Sequence, residues 1–329
     1  MSTREKRLLE PHKIPKTLWL AGEDTLLLPE SLRSVYAELL KERNLTHLAG
    51  ERAKEGPVGG IGQEETDLHF AQAFSGSAAR VLLAVLDPKN QVGDASDTFI
   101  RCTTGTSVCI TDAPCGSGAA AAVFLCAIAE LRAEGVVPRE PLVVKLIGAE
   151  LSPSARQYAR EFMERISPFL SKQAIFLTWE FQSWDVTCEL STTDLVKRCV
   201  LASASSENKL LMIANFSGFL ESNGKRKDAD RQLQELFRYA STEKSFAIWM
   251  EPDMQKVTNS TGLFAWLSTK IVGRWKTFAK LLRGFSRPAG ARDSDQTATC
   301  HAKFRHPLDA ERVANVRLAV VAISLERGA

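Results

Sequence analysis

The order of apolar and polar positions changes near residue 100. Before that point, apolar residues recur three and four positions apart, which predicts amphipathic helices over 32–40 and 70–85. After it, short β-branched runs alternate with helical patterns, and this order is typical of a mostly parallel sheet covered by helices. The predicted strands are Ser107–Thr111, Leu142–Gly148, Ala174–Glu180, Leu210–Asn215, Phe246–Met250, Thr297–Phe304 and Arg317–Leu325.

The last two predicted strands follow each other without a long helix between them, so we expect them to form a closing antiparallel hairpin. The sequence therefore predicts an α/β fold with a Rossmann-like, seven-stranded, mostly parallel sheet. A helical N-terminal lobe over 1–100 would precede this domain, which spans 101–329. The glycine-rich stretch 46–62 is interpreted as a mobile loop between helices or as a hinged lid over an active site.

Composition excludes several classes of protein. The 329 residues are 44% hydrophobic and 25% charged, as in ordinary globular proteins, and no apolar run reaches about 18 residues. The charged N-terminus has no apolar core of a secretory signal, and the seven cysteines contain no CxxC pair. We therefore expect a cytoplasmic protein with reduced cysteines, no transmembrane segment and no metal site.

The most informative motif is Asp-Ala-Pro-Cys-Gly-Ser-Gly at 112–118, which directly follows a predicted strand and directly precedes a helix. In a doubly wound sheet this position faces the ligand crevice. Gly116 and Gly118 let the backbone approach a ligand closely, and Cys115 lies between them and the strand. Asp112 could pair with a cationic group of the ligand. The alternative is a tight strand-to-helix turn that binds nothing.

Glu150 ends the second predicted strand of the sheet. A carboxylate at this point can accept hydrogen bonds from both hydroxyls of a ribose. It lies 32 residues after Gly118 instead of the usual ~20, and the long alanine-rich helix and the turn at 135–140 account for the difference. The alternative is that Glu150 only caps the helix that follows.

The order strand, Asp-x-x-x-Gly-x-Gly, helix, strand, acid resembles class I S-adenosylmethionine-dependent methyltransferases. The resemblance covers about 101–329, including the seven strands and the final hairpin. It implies S-adenosyl-L-methionine as the cofactor. It also implies that the loop residues Asp112, Cys115, Gly116 and Gly118 bind the cofactor at its methionine part, while Glu150 holds the ribose.

The same resemblance assigns roles to two later loops. It places Asp185, with Trp184, beside the adenine, and it places Asn215 and Phe216 beside the methyl group. Asn215 and Phe216 are therefore the catalytic candidates, although the sequence shows no unambiguous general base. The stretch 215–219 lacks the prolines of the motif that amino-group nucleic-acid methyltransferases carry there.

Two other enzyme classes compete with this interpretation. Asp-Ala-Pro-Cys also resembles the nucleophile motif of RNA cytosine-5 methyltransferases, with Cys300 as a second cysteine. The 185 residues between Cys115 and Cys300 are too many for neighbouring strands, so we expect Cys115 to be a small loop residue. A nicotinamide dehydrogenase would use the same crevice, but Asp112 ahead of the glycines suits a cationic group better than a pyrophosphate.

Positive charge is concentrated in one stretch although the net charge is only +3. No acid occurs between Asp253 and Asp293. A basic stretch with interleaved aromatic residues is typical of a phosphate-rich partner, of a helix on a membrane surface, or of a solvated helix. The expected nucleic-acid contacts are Lys270, Arg274, Trp275, Lys276, Lys280 and Arg283.

These observations favour a methyltransferase that acts on nucleic acid, with RNA as the first choice. A small-molecule or protein methyltransferase, or a non-catalytic binding protein with the same fold, stays open. RNA or another polyanion would bind through 256–292, and the N-terminal lobe could hold a protein partner.

Overall fold

A computed structural model describes residues 7–51, 60–222, 224–239, 244–253 and 298–324. It contains nine strands in one sheet: β1 (Trp19–Leu20), β2 (Thr25–Leu26), β3 (Ser107–Asp112), β4 (Leu142–Ala149), β5 (Ile175–Gln182), β6 (Asn208–Ala214), β7 (Ser245–Pro252), β8 (Ala298–His306) and β9 (Asp309–Ser324). The predicted basic stretch 256–292 lies outside the described residues.

Helices cover both faces of this sheet. Within the described ranges they are α1 (Glu30–Glu42), α2 (Thr46–Ala49), α3 (Gln63–Leu86), α4 (Gly93–Cys102), α5 (Ala119–Ala133), α6 (Pro153–Lys172), α7 (Glu189–Ser203), α8 (Ser217–Ser222) and α9 (Arg226–Tyr239), with short 3-10 turns at Pro11–Lys13 and Ala21–Glu23. None of the described helices is long and apolar enough to cross a membrane.

The strand order is β1-β2-β8-β9-β7-β6-β3-β4-β5. Strands β3 to β7 pair in parallel with one another, whereas β9 runs antiparallel to both β7 and β8. This confirms the α/β class, the mostly parallel sheet and the final antiparallel hairpin. The chain leaves β3 toward β4 on one side and returns to β6 on the other, so a crevice opens at the carboxyl ends of β3 and β6.

The expected strand count needs a correction. All seven predicted strands are present, but β1 and β2 extend the described sheet to nine. Thr25 of β2 pairs with Lys303 of β8, so the N-terminal stretch is not purely helical. Strands of two residues carry no alternating pattern, and the sequence could not reveal them.

The described residues among the first hundred share the hydrophobic core of the sheet. The side chains of α1 and α3 belong to the same buried cluster as α5 and β3, and α3 packs against α5, β8 and β9. Arg7 fastens the N-terminal end by hydrogen bonds to Asp87 and Asp97 at 2.7 and 3.0 Å. A separate helical lobe is therefore not visible, and a domain boundary near residue 100 stays a prediction.

Candidate functional site

A cavity of about 520 Å³ lies at the carboxyl ends of the central strands. The loops after β3, β4, β5 and β6 line it from below, and one face of α3 lines it from above. Its volume falls within the range of about 300–1,000 Å³ that is typical of small-molecule and cofactor sites. The cavity thus occupies the crevice that the strand order creates.

The two glycines of the loop after β3 have different surroundings. Gly116 has φ +51°, lines the cavity, and has no heavy atom within 4 Å of the position where a Cβ would stand. Gly118 has φ +84° and does not line the cavity. A Cβ there would stand 3.2 Å from the Cβ of Ala159. Gly116 leaves room for a ligand, whereas Gly118 lets α5 begin close to α6.

Asp112 lies beneath the loop and not in the cavity wall. Its side chain is fully buried, and its Oδ2 accepts a hydrogen bond of 3.3 Å from the backbone N–H of Ala121 in the first turn of α5. Burial raises the pKa of Asp112 to about 7, against the lowering effect of that hydrogen bond. The carboxyl group therefore lies at the N-terminal end of α5, and its expected contact with the methionine part of the cofactor stays a prediction.

Glu150 fastens two loops while it faces the cavity. Its Oε2 accepts from the N–H of Gly116 at 3.1 Å, and its Oε1 accepts from the N–H of Ser152 at 2.9 Å. Burial raises the pKa of Glu150, and these hydrogen bonds act in the opposite direction. The cap of α6 is Ser152, whose Oγ accepts from Ala155 N–H at 3.2 Å. A role as the helix cap therefore does not explain Glu150.

The loop after β5 supplies an aromatic and acidic wall. Trp184 is buried, and its Nε1 donates to Thr192 Oγ1 at 3.0 Å, which fixes the indole at the cavity surface. Asp185 also lines the cavity. Burial alone would raise the pKa of Asp185, but hydrogen bonds from Thr187 and the charge of Lys225 lower it. Asp185 therefore carries a negative charge beside the indole.

The loop after β6 carries the two catalytic candidates. Asn215 and Phe216 both line the cavity, and the Phe216 ring lies 6.1 Å from that of Trp184 and 5.7 Å from that of Phe219. Asn215 has φ +56°, a left-handed conformation that asparagine tolerates better than most residues. The structure thus brings both candidates together with Trp184.

Two residues that the sequence analysis missed fix this loop. Glu251 near the end of β7 is 1% exposed, and its Oε1 accepts from the N–H groups of Phe216 and Ser217 at 3.1 and 2.8 Å and from Trp249 Nε1 at 2.6 Å. On the other side, Arg80 of α3 donates from Nε to Asn215 Oδ1 at 2.7 Å. Arg80 is the only charged residue between Phe70 and Leu86, and this isolated charge in an apolar helix is the feature of the sequence that could have indicated its role.

His69 is a further cavity residue that the sequence did not indicate. Burial lowers its pKa, and the positive charge of Arg80 lowers it further. Above that pKa the imidazole is neutral and can accept a proton. Nearby, Thr66 Oγ1 lies 3.3 Å from Ser152 Oγ, and Ser152 Oγ donates to Ile61 O at 3.2 Å. These contacts join α3 to the Glu150 loop. Residues 52–59 of the expected lid lie outside the described residues.

Cys115 lines the cavity as a thiol. Burial, together with the charges of Asp112 and Glu150, raises its pKa well above the ordinary value, so no nucleophilic thiolate forms at neutral pH. Cys300 lies on β8, four strand spacings from β3, which is about 19 Å at ~4.8 Å per spacing. The two cysteines therefore do not form the pair that an RNA cytosine-5 methyltransferase needs.

No family model and no curated protein matches the chain. Among solved structures, it is similar to a precorrin-6Y C5,15-methyltransferase from Geobacter metallireducens, with 10% identity, a TM-score of 0.31, and coverage of 69% of this chain and 86% of that one. It is also similar to the rRNA methyltransferase AviRa from Streptomyces viridochromogenes, with 10% identity, a TM-score of 0.31, and coverage of 84% and 89%. Both likenesses are too distant to assign an activity to this chain.

Proposed function

We propose that this protein transfers a methyl group from S-adenosyl-L-methionine to a nucleophilic acceptor. The observation that carries the proposal is Glu150, a carboxylate held by two backbone N–H groups at the mouth of the glycine loop and facing the cavity. A carboxylate has about four acceptor positions, so it can hold these backbone N–H groups and still accept from a ribose hydroxyl.

The other residues of the cavity fit the rest of this cofactor. Gly116 leaves open space for the methionine part, and the indole of Trp184 with Asp185 offers a flat face and an acceptor for adenine. When bound, the cofactor would supply a methyl group activated by a positively charged sulfur. The residues of the chain would hold the acceptor in line with it, and positioning of this kind can supply much of the rate.

Asp112 distinguishes this proposal from a nicotinamide dehydrogenase. Dinucleotide-binding proteins place a pyrophosphate at the N-terminus of the helix after the glycine loop. Here the Asp112 carboxyl group occupies that place and accepts from Ala121 N–H at 3.3 Å. A pyrophosphate at this terminus would find the N–H of Ala121 already bonded, whereas a cationic cofactor would not need that donor.

The cofactor proposal is tested by the same substitution at two glycines that have similar backbone conformations. Gly116 (φ +51°) and Gly135 (φ +68°, after α5) both adopt the left-handed conformation, and neither has an atom within 4 Å of the Cβ position. Only Gly116 lines the cavity. We expect Gly116→Val to abolish calorimetric binding of S-adenosylhomocysteine in a folded protein, and Gly135→Val to keep it. Equal affinities in the two variants would refute the assigned location.

The proposed acceptor is RNA. Support comes from the stretch 256–292, which has eight positive side chains and no acid: Lys256, Lys270, Arg274, Lys276, Lys280, Arg283, Arg287 and Arg292. Phosphate contacts release counterions, so RNA affinity should fall with salt at a slope near −0.7 per phosphate contacted. Stacking of bases on Trp275 or Phe278 would add a contribution that depends less on salt.

The acceptor proposal is tested by RNA binding across a salt series. We expect the triple variant Lys276→Ala, Lys280→Ala, Arg283→Ala to lose RNA affinity and salt dependence while its affinity for S-adenosylhomocysteine stays unchanged. DNA and anionic vesicles are measured in parallel. A wild-type protein that shows no salt-dependent RNA affinity would favour a small-molecule or protein acceptor, and a preference for vesicles would favour a membrane-surface role.

A further inference from the structure

The side-chain amide of Asn215 has a defined orientation. Its Oδ1 lies 2.7 Å from Nε of Arg80. A guanidinium group only donates hydrogen bonds, so the atom facing it must be the oxygen and not the nitrogen of the amide. Within the described chain, Nδ2 of Asn215 donates to no protein atom, and Asn215 lines the cavity. The free N–H₂ group is therefore available to a molecule in the cavity.

Arg80 is held firmly enough to impose this orientation. Its Nη2 donates to Ser77 Oγ at 3.3 Å, beside the bond from its Nε to Asn215 Oδ1. Burial lowers the pKa of Arg80 to about 10, opposed by the charge of Glu251, and the group still stays cationic at neutral pH. Both oxygens that it bonds, Oδ1 of Asn215 and Oγ of Ser77, belong to uncharged side chains of residues that line the cavity.

The backbone of the same loop is fixed from the opposite side. Glu251 accepts from the N–H groups of Phe216 and Ser217, so the loop cannot follow a movement of the Asn215 side chain. A binding group that is held by packing and hydrogen bonds on both sides is preorganised. This arrangement gives the amide a single orientation before any ligand enters.

We propose that Arg80 is a positioning residue that turns the N–H₂ group of Asn215 toward the methyl-acceptor side of the cavity. The acceptor then presents a lone pair to this wall, from an oxygen or an unprotonated nitrogen, and a protonated amine is disfavoured. This inference rests on the proposed function, because Asn215 faces the methyl group only if the cavity binds S-adenosyl-L-methionine as described above.

Two cofactor analogues test the inference without knowledge of the acceptor. S-adenosylhomocysteine lacks the methyl group, and sinefungin carries a protonated amine at the methyl position. Wild-type protein presents a donor to that amine, so we expect it to bind sinefungin no more tightly than S-adenosylhomocysteine. Asn215→Asp keeps the bond to Arg80 and presents an oxygen instead. We expect it to shift the affinity ratio at least tenfold toward sinefungin.

Arg80 variants separate positioning from a structural role. In Arg80→Gln the Asn215 amide can turn its oxygen to the cavity, and we expect a smaller shift toward sinefungin, about threefold or more. Arg80→Lys keeps a cationic donor and should restore the wild-type ratio. A merely structural role would change the affinities for both analogues equally and leave the ratio constant. If Arg80→Gln does not fold, Arg80→Met, which keeps the apolar part of the side chain and has no donor, takes its place with the same expected shift.

The inference is overturned if Asn215→Asp leaves the ratio unchanged, or if wild type already prefers sinefungin tenfold. In both cases wild type binds S-adenosylhomocysteine, so the proposed function survives. If wild type binds neither analogue, the proposed function fails and this inference fails with it.

Discussion

Glu150 and Glu251 lie at the same edge of the sheet and hold their loops in the same way. Glu150 follows β4 and accepts the N–H of Gly116 from the loop after the neighbouring β3. Glu251 ends β7 and accepts the N–H groups of Phe216 and Ser217 from the loop after the neighbouring β6. The difference is access, since Glu150 is partly exposed to the cavity and Glu251 is 1% exposed.

Because of this difference in access, Glu150 can bind a ligand, whereas Glu251 can only hold its loop in place. The carboxylate of Glu251 is surrounded by protein and has the indole N–H of Trp249 as a third donor. Glu150, in contrast, faces the cavity. A carboxylate at a strand end is therefore a ligand candidate only where its remaining lone pairs reach a cavity, and the same carboxylate sealed behind a loop serves stability.

The largest effect should come from the sealed glutamate. Glu251→Ala would leave three buried donors without an acceptor, each at about 1–3 kcal/mol, so we expect a loss of at least about 3 kcal/mol in the free energy of unfolding. Urea denaturation measures it. Glu251→Gln keeps one oxygen and should lose less than half as much. A loss below about 1 kcal/mol in Glu251→Ala would show that the loop does not depend on this residue.

A second buried acid, Asp112, should make the free energy of unfolding depend on pH. Its folded pKa of about 7 lies above the ordinary value near 3.9, so its contribution to stability is complete below about pH 4 and is lost as pH rises through 7. Asp112→Asn stays neutral throughout. Relative to this variant, wild type should lose about 2 kcal/mol between pH 5 and pH 8 in urea denaturation. Parallel stability curves for the two proteins would contradict the buried, neutral carboxyl group.

The open glutamate should affect binding more than stability. Removal of the carboxylate in Glu150→Ala deletes charge-assisted hydrogen bonds of about 1.5–3 kcal/mol each, so affinity for S-adenosylhomocysteine should fall at least tenfold. Glu150→Gln keeps one acceptor and should fall less. Calorimetry gives both values, and denaturation curves provide the control. If Glu150→Ala lost stability as Glu251→Ala does and kept its affinity, the two glutamates would have the same role.

The sheet was largely predictable because each central strand is a short β-branched run with turn residues at its ends. The stretches 146–149 of β4 and 210–213 of β6 are buried on both faces and contain no polar side chain, which is typical of parallel strands. The two-residue strands at Trp19 and Thr25 were not predictable, since their pairing is decided by the position of β8 and not by local pattern.

The site residues that follow strands could be predicted from the sequence, whereas those on α3 could not. Gly116 and Glu150 follow strands, where loops and ligands meet in this class of sheet. His69 and Arg80 lie within a long helix that packs over the cavity, where His69 lines the cavity and Arg80 bonds Asn215 of its wall, and no local pattern reveals this packing. Glu251 ends a strand like Glu150, but its partners come from a loop 34 residues earlier, which sequence spacing does not reveal.

The central claim is that the cavity above β3, β4 and β6 binds S-adenosyl-L-methionine and not a dinucleotide. Calorimetric titration of the wild-type protein with S-adenosylhomocysteine, and in parallel with NAD⁺, tests it most directly. We expect one equivalent of S-adenosylhomocysteine to bind and NAD⁺ to give no heat of binding, because Asp112 already accepts the N–H of Ala121, a donor that a pyrophosphate would need at the N-terminus of α5. Binding of NAD⁺ in place of S-adenosylhomocysteine, or of neither, would contradict the account.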